Sequence, residues 1–487
     1  MDKLDQVFGF IESAYVDTPD QEELVEGAIA EVLEKLDPYS SYIASKDLAH
    51  ANEQLEGNFE GIGVEFNIIS DTVTIVRVIA GGPSERLGLL PGDKIVKVEK
   101  KIIAGVGFTN ADVIRNLKGP KGSEVSIEIK RSSQADLLSF KITREEIKIK
   151  SVPAVYMVNE NTGYIKVNRF AATTAEDFHN GILELKENGA EQLIVDLREN
   201  PGGYLGAASQ MINEFLPNGQ LITYTQGRAR QRDEFKAKGD GIFIKGKLCV
   251  LINENSASAS EIFSGAIQDL DRGIIIGRRS HGKGLVQEPI QLDDGSQIRL
   301  TVARYYTPSG RCIQRPYDMT KENGASDDLV KKFKTSNGRT VLEGGGIIPD
   351  RQVDIDSIYY DKVFQNLLRK GVVHELAMDY HLNNRVELKE KYPNYKAFYN
   401  SFGWPKSIRD TVMNVVEELK SKAKDASTKL ETKYVEDQFK LSIARYLYGD
   451  EAFYYILNSQ EEAVSEAVSI LNTSEYTNML ETTKDAE

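Results

Sequence analysis

Three apolar runs, "QLIVDL" (192–197), "KLCVLI" (247–252) and "GIIIG" (273–277), constrain the fold of this chain more than any other feature. None alternates apolar with polar residues, so each reads as a strand buried on both faces, the signature of a parallel sheet covered by helices. The intervening segments agree: "PGGYLGAASQMINEFL" and "SASASEIFSGAIQDL" each read as a turn running into a helix. "GYIKVNRF" and the helix "ATTAEDFHNGILELKENGAE" precede them, and the strands "VQEPIQL" and "QIRLTVARYYTP" follow. Residues 148–350 are therefore expected to form one layered α/β core.

The chain has 487 residues, too many for one core, and its texture changes at both ends of this region. Residues 1–55 repeat apolar positions at helical spacing until "DPYSSY" stops them. Residues 56–147 carry short β-type runs, "GIGVEF", "TVTIVRVI", "DKIVKVEKKII" and "EVSIEIKR", punctuated by glycine and proline. Residues 351–487 are mostly helical, show no chemical constellation, and read as a packing or dimerisation domain.

A formal net charge of -14 argues against nucleic acid as a partner. The two cysteines, Cys249 and Cys312, imply neither a disulfide framework nor a zinc site, and no metal or cofactor is expected. No apolar run is long enough for a membrane span. The start, "MDKLDQVFGFIESAYVD", lacks a signal-peptide pattern.

"GIGVEF" followed by "GGPSERLGLLPGDKIVKV" resembles a PDZ domain. The resemblance implies that a peptide C-terminus binds beside "GIGVEF". Gly61 and Gly63 let the N–H groups of the segment Gly61, Ile62, Gly63 and Val64 converge on a carboxylate. An open strand edge pairs with the extended tail, and Ile114 and Leu117 wall the groove from the helix side.

"NENSASASEIFSG" places Ser256, Ser258 and Ser260 on alternate positions where a buried strand enters a helix. Ser258 and Glu261 have the spacing of a capping box, a purely structural use. A helix N-terminus at the end of a sheet also presents unpaired N–H groups, as an oxyanion requires. The turn Asn200–Gly203 brings a second glycine backbone toward that place. Two bases compete: His281, with no evident acid partner, and Lys283 in "GKG". A lysine base must be neutral, and burial lowers its pKa. Gln287 shares the strand face of Lys283 and can accept a hydrogen bond from it.

"NENSASASEIFSGAIQD" with "GKGLVQ", "VDLRENPGG", "GAIAEVLEKLDPYSSYI" and "GRCIQ…GGGIIPD" closely resembles the carboxy-terminal processing proteases, also called tail-specific proteases, over residues 10 to 350. The resemblance implies a ClpP/crotonase-like layered core with an inserted PDZ domain, and a serine endopeptidase with a Ser-Lys dyad. Ser258 is then the nucleophile, Lys283 the general base and Gln287 its orienting residue. Ala259 with Gly202 or Gly203 forms the oxyanion hole. Glu199, His281 and Cys312 depart from the family pattern. The partners implied are protein substrates with free C-terminal tails, a second copy of the chain, and an activator or adaptor protein. The expected location is the periplasm or cell envelope. A non-catalytic scaffold and an acyl-transfer or hydratase enzyme on a similar core are the rival readings.

Overall fold

The structure is a computed structural model that describes residues 2–132, 134–316, 331–422 and 430–481. Its centre is a six-stranded sheet in the order Ala154–Met157, Thr162–Lys166, Gln192–Asp196, Lys247–Ile252, Ile274–Gly277, Arg351–Gln352. Every pairing after the first is parallel. The unbroken apolar runs have a direct cause. Leu193, Val195, Leu248, Val250 and Ile252 face a core shared with helices Thr174–Glu187, Leu205–Asn213 and Ala259–Asp269. Ile194, Cys249, Leu251, Ile274 and Ile276 face the other way, against Val464, Ala467 and Leu471. The helical C-terminal region thus supplies the second cover of the core sheet through helices Glu462–Leu471 and Glu475–Leu480.

A five-stranded antiparallel sheet lies beside this core, with Gln297–Tyr306 pairing Ser41–Ile43, Leu221–Gln226 and Leu285–Gln291, and with Asp233–Lys236 beyond Leu221–Gln226. The N-terminal region is therefore sewn into the core by its last strand, Ser41–Ile43. Its first two helices, Asp2–Ala14 and Gln21–Glu34, leave Leu4, Val7, Phe10 and Val32 exposed.

The β-rich region closes around its own apolar cluster, which includes Ile75, Ile95, Val113, Ile127 and Ile129. Its sheet runs Val64–Ile69, Thr72–Val78, Lys94–Val98, Glu124–Lys130, Leu137–Thr143, so Val64–Ile69 is an edge strand. Helix Asn110–Leu117 starts with a capping box between Thr109 and Asp112. A ribbon of Asn58–Gly61 and Glu145–Lys148 joins the region to the core. No helix among the described residues is long and apolar enough to cross a membrane.

Candidate active site

Parallel strands deliver their following turns to one edge of the sheet, where open α/β folds place ligands. Strands Gln192–Asp196 and Lys247–Ile252 are neighbours, so the turn Asn200–Gly203 and the serine run lie against each other. Asn200 joins them: its carbonyl accepts from Ala257 N at 3.0 Å and from Ser260 Oγ at 2.9 Å. The Asn200 side chain accepts from Gly202 N at 2.9 Å and donates to the Val167 carbonyl at 2.9 Å. Ser256 Oγ donates to the Leu197 carbonyl at 2.8 Å and accepts from Asn253 N at 2.9 Å. Glu199, the charged departure in this turn, accepts from the side-chain amides of Asn253 and Asn255. It fastens one turn to the other.

Ser256 and Ser260 are thus buried and spent on backbone partners. Ser258 is half-buried and adopts φ 54°, ψ -112°, a region that a non-glycine residue occupies only under constraint. Its hydroxyl donates to no backbone carbonyl among the described residues and adjoins the buried Tyr305 hydroxyl. That tyrosine donates to the Lys283 carbonyl.

Glu261 does more than cap its helix. Its carboxylate accepts from Ser258 N at 2.8 Å and Lys283 N at 2.9 Å, and from Gly282 N at 2.7 Å and Ser280 Oγ at 2.5 Å. One buried side chain therefore sets the spacing between the serine turn and the lysine loop. Burial pushes its carboxyl above the ordinary range, although four donors oppose that shift.

Lys283 Nζ donates to Gln287 Oε1 at 3.0 Å and stands 4.5 Å from the centre of the Tyr39 ring. Gln287 Nε2 donates to the Tyr39 carbonyl at 2.5 Å. Burial lowers the lysine pKa, and Arg299 adds to the effect while Asp37 and Glu261 oppose it. Lys283 and Ser258 share no hydrogen bond among the described residues: Glu261 holds their backbone N–H groups on one carboxylate, while the lysine amine is turned toward Gln287. His281 is exposed, and Arg315 and Lys283 are the charges near its imidazole. It has no carboxylate partner among the described residues. A cleft of about 820 Å³ opens here between Pro38, Tyr39, His281, Gly282, Gln314 and Arg315.

The place expected to receive an oxyanion is lined by glycines that no other residue could replace without a clash. Gly202 has φ 101°, and a Cβ there would lie 2.9 Å from Ser258 Cβ and 3.0 Å from Ala259 N. Gly203 has φ 144°, and a Cβ there would run into the Phe170 carbonyl. The N–H groups of Ala259 and Gly203 have no partner among the described residues, whereas that of Gly202 is held by Asn200. Of the two glycines named from sequence, Gly203 is the one with a free donor.

In the β-rich region Gly61 pairs with Glu145, and Gly63 takes φ 74° where a Cβ would meet Ile147 and Pro83. The Ile62 and Gly63 N–H groups are unpartnered among the described residues, although the Ile62 side chain is in the core. Val64 begins the edge strand. Ile114 is half-buried at the surface of its helix, while Leu117 points into the core and is 4% exposed. Tyr39 and Tyr305 were not legible as site residues, because "DPYSSY" signals only a turn and "ARYYTP" only a strand. No group of His, Cys, Asp and Glu among the described residues has the arrangement of a metal site.

Residues 161–321 match peptidase family S41, residues 74–131 a PDZ domain, and residues 1–47 the N-terminal domain of the activating protease CtpB. Residues 363–449 match a family of unknown function. The chain is 35% identical over 319 residues to the carboxy-terminal processing protease CtpB of Bacillus subtilis (strain 168), covering 65% of this chain and 66% of that protein. It is 36% identical over 334 residues to a carboxy-terminal-processing protease of Bartonella bacilliformis, covering 67% of this chain and 75% of that protein. Among solved structures it is similar to a photosystem II D1 C-terminal processing protease, at 26% identity and a TM-score of 0.41, over 72% of this chain and 86% of that one.

Proposed function

Because this chain belongs to the carboxy-terminal processing proteases of peptidase family S41 and is a serine endopeptidase with a PDZ domain, we propose that Ser258 is its nucleophile and Lys283 its general base. One observation carries the choice: of three neighbouring serine hydroxyls, only that of Ser258 is not committed to a backbone carbonyl. The lowered lysine pKa supports the second assignment, since the neutral amine is the form that accepts a proton.

A substrate tail adds to the edge strand Val64–Ile69, its carboxylate held by the Ile62, Gly63 and Val64 N–H groups, with Ile114 on the helix side and Leu117, buried in the core, behind the groove wall and not on it. The scissile carbonyl reaches Ser258, and Lys283 Nζ swings from Gln287 to within hydrogen-bond reach of Ser258 Oγ. Ser258 attacks as its proton passes to Lys283. The oxyanion is received by the Ala259 N–H and, from the glycine turn, by Gly203, with Gly202 keeping the passage clear. Lys283 returns the proton to the leaving amine, and water then hydrolyses the acyl-enzyme. Gln287 and the Tyr39 ring hold the amine between turnovers.

The exposed Leu4, Val7, Phe10 and Val32 on the N-terminal helices support a homodimer through that face, with an activator or adaptor protein as the other occupant. Placement in the periplasm or cell envelope belongs to the same reading and rests on the family resemblance alone. Digestion of an unfolded protein tests the whole reading. Cleavage should vanish in Ser258→Ala and in Lys283→Ala, and a fluorophosphonate label should attach to the parent and not to Ser258→Ala. Undiminished cleavage by Lys283→Ala sinks the dyad.

A further inference from the structure

The edge strand Val64–Ile69 does not end in solvent. Past its far end a cavity of about 630 Å³ separates the PDZ domain from the C-terminal helices. One wall includes Ile68, Ser70 and Asn110, the last being the first residue of the groove helix Asn110–Leu117. The facing wall includes Arg369, Lys370 and His374, from helix Lys362–Lys370 and the start of helix Val372–Lys391. The cavity is therefore continuous with both sides of the tail groove.

The two walls are held together by charge and packing. Arg77, on the strand next to the groove strand, bonds to Glu65 and to Asp450 of the helical region. Arg445 donates to Asp450 at 2.9 Å and stands 3.7 Å from Glu65. Gly92 lies flat on Leu382, where a Cβ would collide with the leucine side chain. These contacts fix the helical region against the PDZ sheet alongside the first half of the groove strand, and the cavity lies beyond its second half.

From this we infer that the tail-binding site extends beyond the PDZ groove onto the C-terminal helices, and that it takes substrate tails carrying acidic side chains upstream of the C-terminus. The inference rests on the PDZ reading above. A tail pairing antiparallel with Val64–Ile69 has its last residue near Val64 and climbs the strand one residue at a time. Residues roughly four to six ahead of the C-terminus then stand beside Ile68–Ser70, at the mouth of the cavity. Arg369 and Lys370 are exposed there. The Arg369 guanidinium has a 3.4 Å bond to Asn366, and Lys370 forms no ion pair among the described residues. Glu375 is the one carboxylate on the lining, so cations outnumber it two to one. Carboxylates on the tail supply the missing partners, and the helical region acts as a second specificity element.

The test uses the full chain with Ser258→Ala, so that bound peptide is not cut. Two labelled twelve-residue peptides share their last four residues and carry either aspartate or lysine at the next three positions. In fluorescence anisotropy the acidic peptide should bind about fivefold more tightly, as one or two exposed ion pairs allow. Adding Arg369→Glu and Lys370→Glu should erase or reverse that preference while both peptides still prefer a free C-terminus to an amide. Equal affinities in the parent chain, or a preference untouched by the charge reversal, would overturn the inference with the PDZ reading intact. Indifference to amidation would instead overturn the PDZ reading and this inference with it.

Discussion

Ser256, Ser258 and Ser260 are chemically the same, and what separates them is the partner each hydroxyl meets. Ser260→Ala should lower stability by about 1 kcal/mol, the usual net worth of one hydrogen bond, read as a lower Tm with the nucleophile still present. Ser258→Ala should do the opposite, leaving Tm nearly unchanged while abolishing cleavage. Lys283 carries a pH prediction with a fixed sign. Its pKa is lowered chiefly by burial, and only its neutral form takes a proton, so kcat/KM should fall as pH drops through that lowered pKa and level off above it. Asp37 opposes the lowering. Asp37→Asn removes that carboxylate, keeps an oxygen for the Tyr39 and Ser40 N–H groups, and should move the acid limb to lower pH. A limb displaced to higher pH, or an unmoved one, would show that another group governs it.

Elements bring these residues together by ending at the same sheet edge, and the glycine turn is the tightest point of that meeting. Gly202→Ala should lower both kcat and Tm, because φ 101° is strained for alanine and the new methyl meets the Ala257 carbonyl at 2.7 Å. Gly206→Ala is the control: nothing lies within 4 Å of its Cβ, it sits inside helix Leu205–Asn213, and alanine should add up to about 1 kcal/mol of stability. The element level is also where sequence reading was strongest. "QLIVDL", "KLCVLI" and "GIIIG" announce strands buried on two faces, and the protease core follows from them. The serine cluster was visible because a strand-to-helix turn is a local rule. The Lys283–Gln287 bond is present, but Lys283 lies in a loop ahead of strand Leu285–Gln291 and the ladder shifts between Val286 and Gln287. Strand periodicity is therefore not what brings the two together, and the preference for Lys283 over His281 rests on the family resemblance. What lies on the second face was not. The helices covering Ile194 and Leu251 come from residues beyond 450, and no periodicity within a helix says which distant sheet it will cover. Glu261 shows the same limit at closer range: spacing identifies it as a cap for Ser258 and cannot reveal its bonds to the loop that carries Lys283.

At the scale of the molecule, the PDZ domain touches the core through a two-stranded ribbon and touches the C-terminal helices through a cluster of charges, so its position depends on both. Arg77, Glu65, Arg445 and Asp450 alternate in sign around a closed ring of contacts, and the Arg77 and Asp450 side chains are 31% and 12% exposed. Partial exposure limits the Arg77–Asp450 pair to about 1 kcal/mol after screening. Asp450→Arg does more than delete it, since three arginines then crowd one glutamate. That variant should loosen the PDZ domain from the helices, weaken binding of an acidic tail peptide several-fold, and raise susceptibility to limited trypsin digestion. Adding Arg77→Asp, Glu65→Arg and Arg445→Asp to Asp450→Arg inverts the ring and restores an opposite charge at each of its four contacts. If the charge cluster aligns the two halves of the tail site, this fourfold variant should recover most of the lost affinity, because the substitutions are in contact and their effects do not add. If it binds no better than Asp450→Arg alone, the alignment is carried by packing such as that of Gly92 on Leu382, and the ion pairs merely decorate the seam.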